Sequence, residues 1–83
     1  MAMSKEVKIR YFALFREQRG ISSESRKTEA LTLAELYAEL KEEFGFTLAA
    51  GHLQVARNAE LADWDAVLNA GDEIVFIPPT AGG

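Results

Sequence analysis

The 83 residues make one small domain, of a size that buries only about 60–65% of its unfolded surface. Cysteine is absent, which excludes disulfides, thiolate metal sites and a thiol nucleophile. Thirteen acidic against nine basic side chains give a net charge of −4. That is the wrong sign for a general binder of phosphate backbones or of an anionic membrane, so neither nucleic acid nor membrane is expected as a partner.

No apolar run approaches the roughly 20 residues that a membrane-spanning helix needs. The opening Met-Ala-Met-Ser-Lys has no stretch fit for a secretory signal, so a cytoplasmic location is the expectation.

In chain order, Val7 to Ala13 alternates as a half-buried strand, with Val7, Ile9 and Tyr11 on one face and Lys8, Arg10 and Phe12 on the other. Leu14 to Arg19 reads as a short helical turn that stops at Gly20. Ser22 to Lys27 is polar and turn-like, and a weakly alternating second strand is placed within Ser25–Leu31. Thr32 and Glu35 form a capping box, followed by Leu33, Leu36, Tyr37, Leu40 and Phe44 on one helical stripe, with Gly45 as the left-handed stop.

Leu53 to Arg57 alternates as a strand, Asn58-Ala59-Glu60 reads as a turn, and Leu61 to Trp64 as a short strand. Asn69 to Asp72 is turn chemistry, with Gly71 able to take positive φ. Glu73 to Ile77 is apolar enough for a central strand covered on both faces, ended by Pro78-Pro79. Strands on both sides of one main helix predict a mixed sheet with the helix across one face, an α+β ubiquitin-like β-grasp. The first and last strands should be central. The chain is expected to be one domain over 1–83, with 78–83 a protruding tail.

Side chains offer little chemistry. His52 has no partner for a triad, and Asp63, Asp65, Asp72 and Glu73 lack the spacing and internal glycine of a calcium loop. Phosphate-binding glycine motifs are missing too. No metal and no bound cofactor are therefore expected. The end of the chain differs: Pro78-Pro79-Thr80-Ala81-Gly82-Gly83 joins a stiff, extended stalk to a tip without Cβ atoms. Such a tip can enter a narrow site on another protein. Frayed ends are common, so the glycines alone decide nothing.

Gly71-Asp72-Glu73, the apolar strand, Pro78-Pro79 and terminal Gly82-Gly83, with Val7–Ala13, the capped helix from Thr32 and Leu53–Asn58, together resemble the MoaD/ThiS family of sulfur carriers, in its molybdopterin branch. The resemblance spans nearly the whole chain. It implies that Gly83 is adenylated by an E1-like enzyme, which uses ATP, and then takes sulfur from a donor such as a cysteine desulfurase or rhodanese system. Gly83 becomes a thiocarboxylate, Gly82, Ala81 and Thr80 thread into the partner, and Pro79 and Pro78 direct the tail. The implied partner is the large catalytic subunit of molybdopterin synthase, in a heterotetramer, with sulfur passing to cyclic pyranopterin monophosphate. The chain itself would be a non-catalytic carrier. A free carboxylate is a poor acyl electrophile, so activation as an anhydride with AMP agrees with a reactive terminus.

If Val7, Ile9 and Tyr11 face the helix, Phe12 lies on the open sheet face beside Val75 and Ile77, with Leu61 extending the patch; these four are the expected partner interface. The alternative is that Phe12 covers a small second core with Leu14, Phe15 or Trp64. Sulfur delivery to thiamine thiazole synthesis or tRNA thiolation, a ubiquitin-like protein modifier, and a plain binding module with an idle tail also remain open.

Overall fold

The computed structural model describes residues 4–79. Residues Thr80, Ala81, Gly82 and Gly83, on which the tail expectations fall, lie outside the described residues. In order, the elements are β1 (Lys5–Arg10), α1 (Ala13–Arg19), β2 (Ser23–Thr28), α2 (Leu33–Phe44), a single 3-10 turn (Ala50–His52), β3 (Gln54–Arg57), β4 (Glu60–Ala62) and β5 (Glu73–Ile77). The five strands form one sheet in the order β2-β1-β5-β3-β4. β1 and β5 run parallel and the other pairs antiparallel. This is the expected mixed sheet, with β5 at its centre and β1 beside it.

Alternation sets the layers. Val7, Ile9 and Tyr11 from the β1 segment, and Ile74 and Phe76 from β5, face α2 and are at most 1% exposed. Leu33, Leu36, Tyr37 and Leu40 meet them from the helix stripe, and Phe15, Phe46, Val55 and Leu68 complete the core. Aromatic rings bind its centre: Phe76 lies 5.0 Å from Tyr37 and 6.0 Å from Trp64, ring centroid to centroid. The last strand is covered on one face only. Val75 and Ile77 remain half-buried on the other, because no helix crosses that side of the sheet.

The caps follow the sequence. Thr32 Oγ1 accepts from the Glu35 N–H at 3.2 Å, and Gly45 has φ 72° and donates its N–H to the Lys41 carbonyl. The Glu35 carboxylate reaches back one residue further than expected and accepts from the Leu31 N–H at 3.3 Å. Gly20 closes α1 with φ 84°.

Asp72 locks the entry into β5. Its carboxylate is buried, accepting from Asn58 Nδ2 at 3.0 Å and from the Asn69 N–H at 2.8 Å. Asn58 Oδ1 in turn accepts from the Glu73 N–H at 2.9 Å. Gly71 takes φ 84° beside it. Thus the Gly71-Asp72-Glu73 run and the β3–β4 hairpin turn fix one another. Asn58 and Ala59 both have positive φ there, as a two-residue hairpin turn requires, and β4 already begins at Glu60 and ends at Ala62.

β2 departs from expectation: it starts at Ser23 and ends at Thr28, across the stretch read as turn-like. Its core-side positions are polar, so period-two hydrophobicity could not show it. Glu24 accepts both nitrogens of the Arg19 fork, at 3.0 and 2.8 Å, and the Tyr11 hydroxyl. Arg26 donates to Glu39 and Glu43 of α2 at 2.8 and 2.6 Å, and the Thr28 hydroxyl donates to Glu39 at 2.8 Å. The Arg19 and Arg26 guanidinium groups also lie over the Phe44 ring, at 4.1 and 5.6 Å, closing the open end of the helix stripe.

Burial opposes ionisation of Glu24, yet the Arg19 and Tyr11 hydrogen bonds, with the charges of Arg19 and Arg26, outweigh it and hold its carboxyl below the ordinary 4.5. Burial and the Glu24 partner push the Tyr11 hydroxyl far up. A carboxyl depressed by folding stabilises the fold above its unfolded value, and that contribution is lost as pH falls through the folded value. Glu24→Gln is therefore expected to lower the unfolding free energy by about 1–2 kcal/mol at neutral pH. In urea titrations the gap from the parent should shrink as pH drops from about 5 towards 2.

Candidate functional site

Among the described residues, no helix covers the open face of the sheet. Strand register orders it. One row across it runs Ser23, Arg10, Val75, Ala56, Leu61, since Arg10 pairs with both Ser23 and Val75, and Ala56 with both Val75 and Leu61. Ile77 pairs with Gln54 one step nearer the tail, and Phe12 follows two residues beyond the Arg10–Val75 pair. Phe12 is 45% and Leu61 66% exposed, while Val75 and Ile77 are half-buried and Ala56 is buried between them. The four residues expected at a partner interface thus fall on one face, at the end of the sheet from which Pro78 and Pro79 leave β5.

Phe12 does not cover a second core. Phe15 is fully buried in the main one, and Trp64 stacks on Phe76 there. The strand alternation sends Phe12 outward, and the backbone then reverses: Ala13 has φ 49°, left-handed for a residue with a Cβ, and the Phe15 N–H returns to the Phe12 carbonyl at 3.0 Å. This tight reversal turns Phe15 inward. Nothing in the residue types announces the reversal, because the alternation Tyr11 in, Phe12 out is complete before Ala13.

Beside Leu61 lies a shallow open groove of about 390 Å³, walled by Leu53, Val55, Ala62 and Trp64 and rimmed by Gln54 and Asp63. Its Gln54 is the residue that pairs with Ile77, so the groove adjoins the root of the tail.

Charge surrounds the patch on one side. Lys8 stands opposite Glu73 across the β1–β5 pair, and Arg10 Nη1 is 3.9 Å from the same carboxylate. The Arg10 guanidinium lies 5.5 Å from the Phe12 ring centroid. His52 is exposed on the 3-10 turn, away from any acid–base partner in the described hydrogen bonds. Among the described residues, no group of three or more His, Asp or Glu side chains could hold a metal ion. No described helix is long and apolar enough to cross a membrane.

The arrangement is suited to recognition rather than to chemistry by side chains: an apolar patch and groove around the base of a stalk. The model of the ThiS family matches residues 9–83. The molybdopterin synthase sulfur carrier subunit of Escherichia coli K12 is 31% identical over 80 residues, covering 93% of this chain and 99% of that one. A solved complex of subunits 1 and 2 of the molybdopterin-converting factor from Helicobacter pylori contains a chain 33% identical, with a TM-score of 0.63 and coverage of 94% and 99%. The small archaeal modifier protein 1 of Methanosarcina acetivorans shares the fold at 19% identity, with a TM-score of 0.78 and coverage of 98% and 99%.

The left-handed Ala13 carries a testable cost. A residue with a Cβ pays about 1–2 kcal/mol in this region, and glycine avoids that while losing some unfolded-state restriction. Ala13→Gly is expected to raise the unfolding free energy by about 0.5–1 kcal/mol, read from chemical denaturation.

Proposed function

We propose that this chain, which belongs to the ThiS family of ubiquitin-like sulfur carriers, is the sulfur-carrying small subunit of a molybdopterin synthase. The observation that carries the reading is the near full-length identity to a chain solved as one partner of a two-subunit molybdopterin-converting factor. The apolar patch around the root of the tail supplies the matching surface.

The reacting group is the Gly83 carboxylate. One of its oxygens attacks the α-phosphorus of ATP on an E1-like activating enzyme, forming an acyl-adenylate and releasing pyrophosphate. The outer sulfur of a persulfide on a cysteine desulfurase or rhodanese then attacks the acyl carbon, and AMP leaves with the oxygen it carries. A thiol reductant cleaves the resulting acyl disulfide, freeing the thiocarboxylate and the donor's cysteine. The thiocarboxylate is delivered to the large catalytic subunit, where sulfur passes to cyclic pyranopterin monophosphate and the Gly83 carboxylate is regenerated. ATP belongs to the activating enzyme, and the domain holds no cofactor of its own. Gly82, Ala81 and Thr80 give the tail a narrow profile, and Pro79 and Pro78 stiffen its base. Two such chains on a dimer of large subunits make the heterotetramer.

Phe12, Val75, Ile77 and Leu61 form the surface on which the large subunit sits. Aromatic anchors at the centre of an interface carry a large share of its binding energy. The domain's part is to hold this surface and the tail root in one fixed relation, so that docking and insertion are a single event.

A second reading, a protein modifier joined to lysines, is favoured by the fold shared with the archaeal modifier. One incubation separates the two. With ATP, the activating enzyme and a sulfur donor, the intact mass is expected to rise by the exchange of one oxygen for sulfur, mapped to Gly83. Isopeptide adducts on lysines without that exchange would establish the modifier instead. In calorimetric titration with the large subunit, Phe12→Asp is expected to weaken binding at least about thirtyfold, while the unfolding free energy stays within about 0.5 kcal/mol of the parent. Unchanged affinity would remove Phe12 from the interface.

A further inference from the structure

Arg10 sits at the edge of the apolar patch with its charge poorly used. Its side chain is 49% exposed, and its one described acidic neighbour, Glu73, is 3.9 Å away, too far for a hydrogen bond. Glu73 also stands opposite Lys8 in register, with no ion pair described between them. The nearest carboxylate therefore leaves the Arg10 guanidinium without a hydrogen-bonded acid, beside the patch. The other arginines of β2 and α1 with short contacts, Arg19 and Arg26, have their guanidinium groups filled by carboxylates at 2.6–3.0 Å. Arg10 differs from them in keeping its fork open.

Position gives that fork a use. In register, Arg10 is flanked by Val75, and its guanidinium lies over the ring of Phe12. The ring and the neighbouring strand restrict the long side chain before any partner arrives, which lowers the entropy lost on binding. An arginine held this way presents paired N–H donors suited to a carboxylate, and such bidentate pairs set orientation as well as strength.

We propose that Arg10 is a specificity-determining residue of the docking face: it receives a carboxylate of the large subunit at the rim of the socket that takes Phe12. The inference rests on the docking reading above and adds the partner's chemistry, an acidic side chain next to an apolar depression. A partner with a neutral or basic rim leaves the guanidinium facing the wrong charge and is rejected, although its apolar contacts could be the same.

The test is calorimetric titration of the large subunit with the parent chain, Arg10→Met and Arg10→Lys, at about 50 mM and about 500 mM NaCl, where screening lengths differ severalfold. Methionine keeps an unbranched apolar stem over Phe12 and lacks the charge. Arg10→Met is expected to lose about tenfold in affinity at low salt and less than about threefold at high salt. Arg10→Lys should regain the salt dependence but not the full affinity. Thermal unfolding of each variant reports whether the domain is intact. Arg10→Met binding like the parent at low salt, or losing the same factor at both salts, would overturn the proposal, since the second result marks a loss of packing alone. Failure of the parent chain to bind overturns the docking reading itself, and Arg10 loses its assigned partner with it.

Discussion

The parallel pairing of β1 with β5 is the constraint on which the rest of the molecule depends. It places the strand that leads into the tail at the centre of the sheet, with neighbours on both sides. Ile74 and Phe76 are then forced into the core, and Phe76 meets Phe15, Tyr37 and Trp64 there. The same period of two sends Val75 and Ile77 to the open face. At the entry to the strand, the hairpin residue Asn58 donates to the buried Asp72 carboxylate and accepts from the Glu73 N–H, which defines where β5 begins. A tail rooted in the most buried strand starts from a fixed point, and preorganisation of that kind is what a group delivered into another protein's site requires.

A second constraint is the polar seam between β2 and the helices. Charged groups on the core side of a strand forgo apolar burial, and paired charges recover only part of the cost of leaving water. Here the seam lies at the edge of the sheet, where Arg26 and the Glu39–Glu43 pair remain partly solvated. The guanidinium groups of Arg19 and Arg26 cover Phe44, so they serve as a lid on the apolar stripe as well as ionic partners. An edge strand dressed in this way is also a poor template for pairing with another chain. In a domain with so thin a core, the arrangement secures an exposed edge without enlarging the apolar surface.

Much of this could be read in the residues. The alternation of Val7 to Phe12 fixed which faces were buried, and with it the outward position of Phe12. The capping box and stripe gave α2, and Pro78-Pro79 gave the end of β5. What escaped had a physical reason in each case. β2 has polar residues toward the helices, so its pattern carries no hydrophobic period, and only the spatial nearness of Glu39, Glu43 and Arg19 explains it. The open face of β5 was hidden by composition, because Val75 and Ile77 are as apolar as the buried Ile74 and Phe76. The left-handed backbone at Ala13 has no signature in an alanine. Arg10 looked like any polar residue of a strand face until the register set it between Phe12, Val75 and the Glu73 carboxylate, which it approaches only to 3.9 Å.

These features divide the work of a carrier between two parts. Chemistry at a terminal carbonyl needs no side-chain machinery, so the domain is free to be selected for recognition and for holding the tail root. Recognition is the harder demand, because apolar contact distinguishes poorly between similar sockets. Discrimination comes from groups that are costly to mismatch, and a charge at the rim of an apolar patch is one of them. In this chain the carboxylates of α2 crowd the helical side, with Glu39 and Glu43 tied to Arg26, while Arg10 on the open face has no carboxylate within hydrogen-bond distance. An arginine whose fork is open can accept a carboxylate without first giving one up, which is the kind of group that discriminates between otherwise similar apolar sockets.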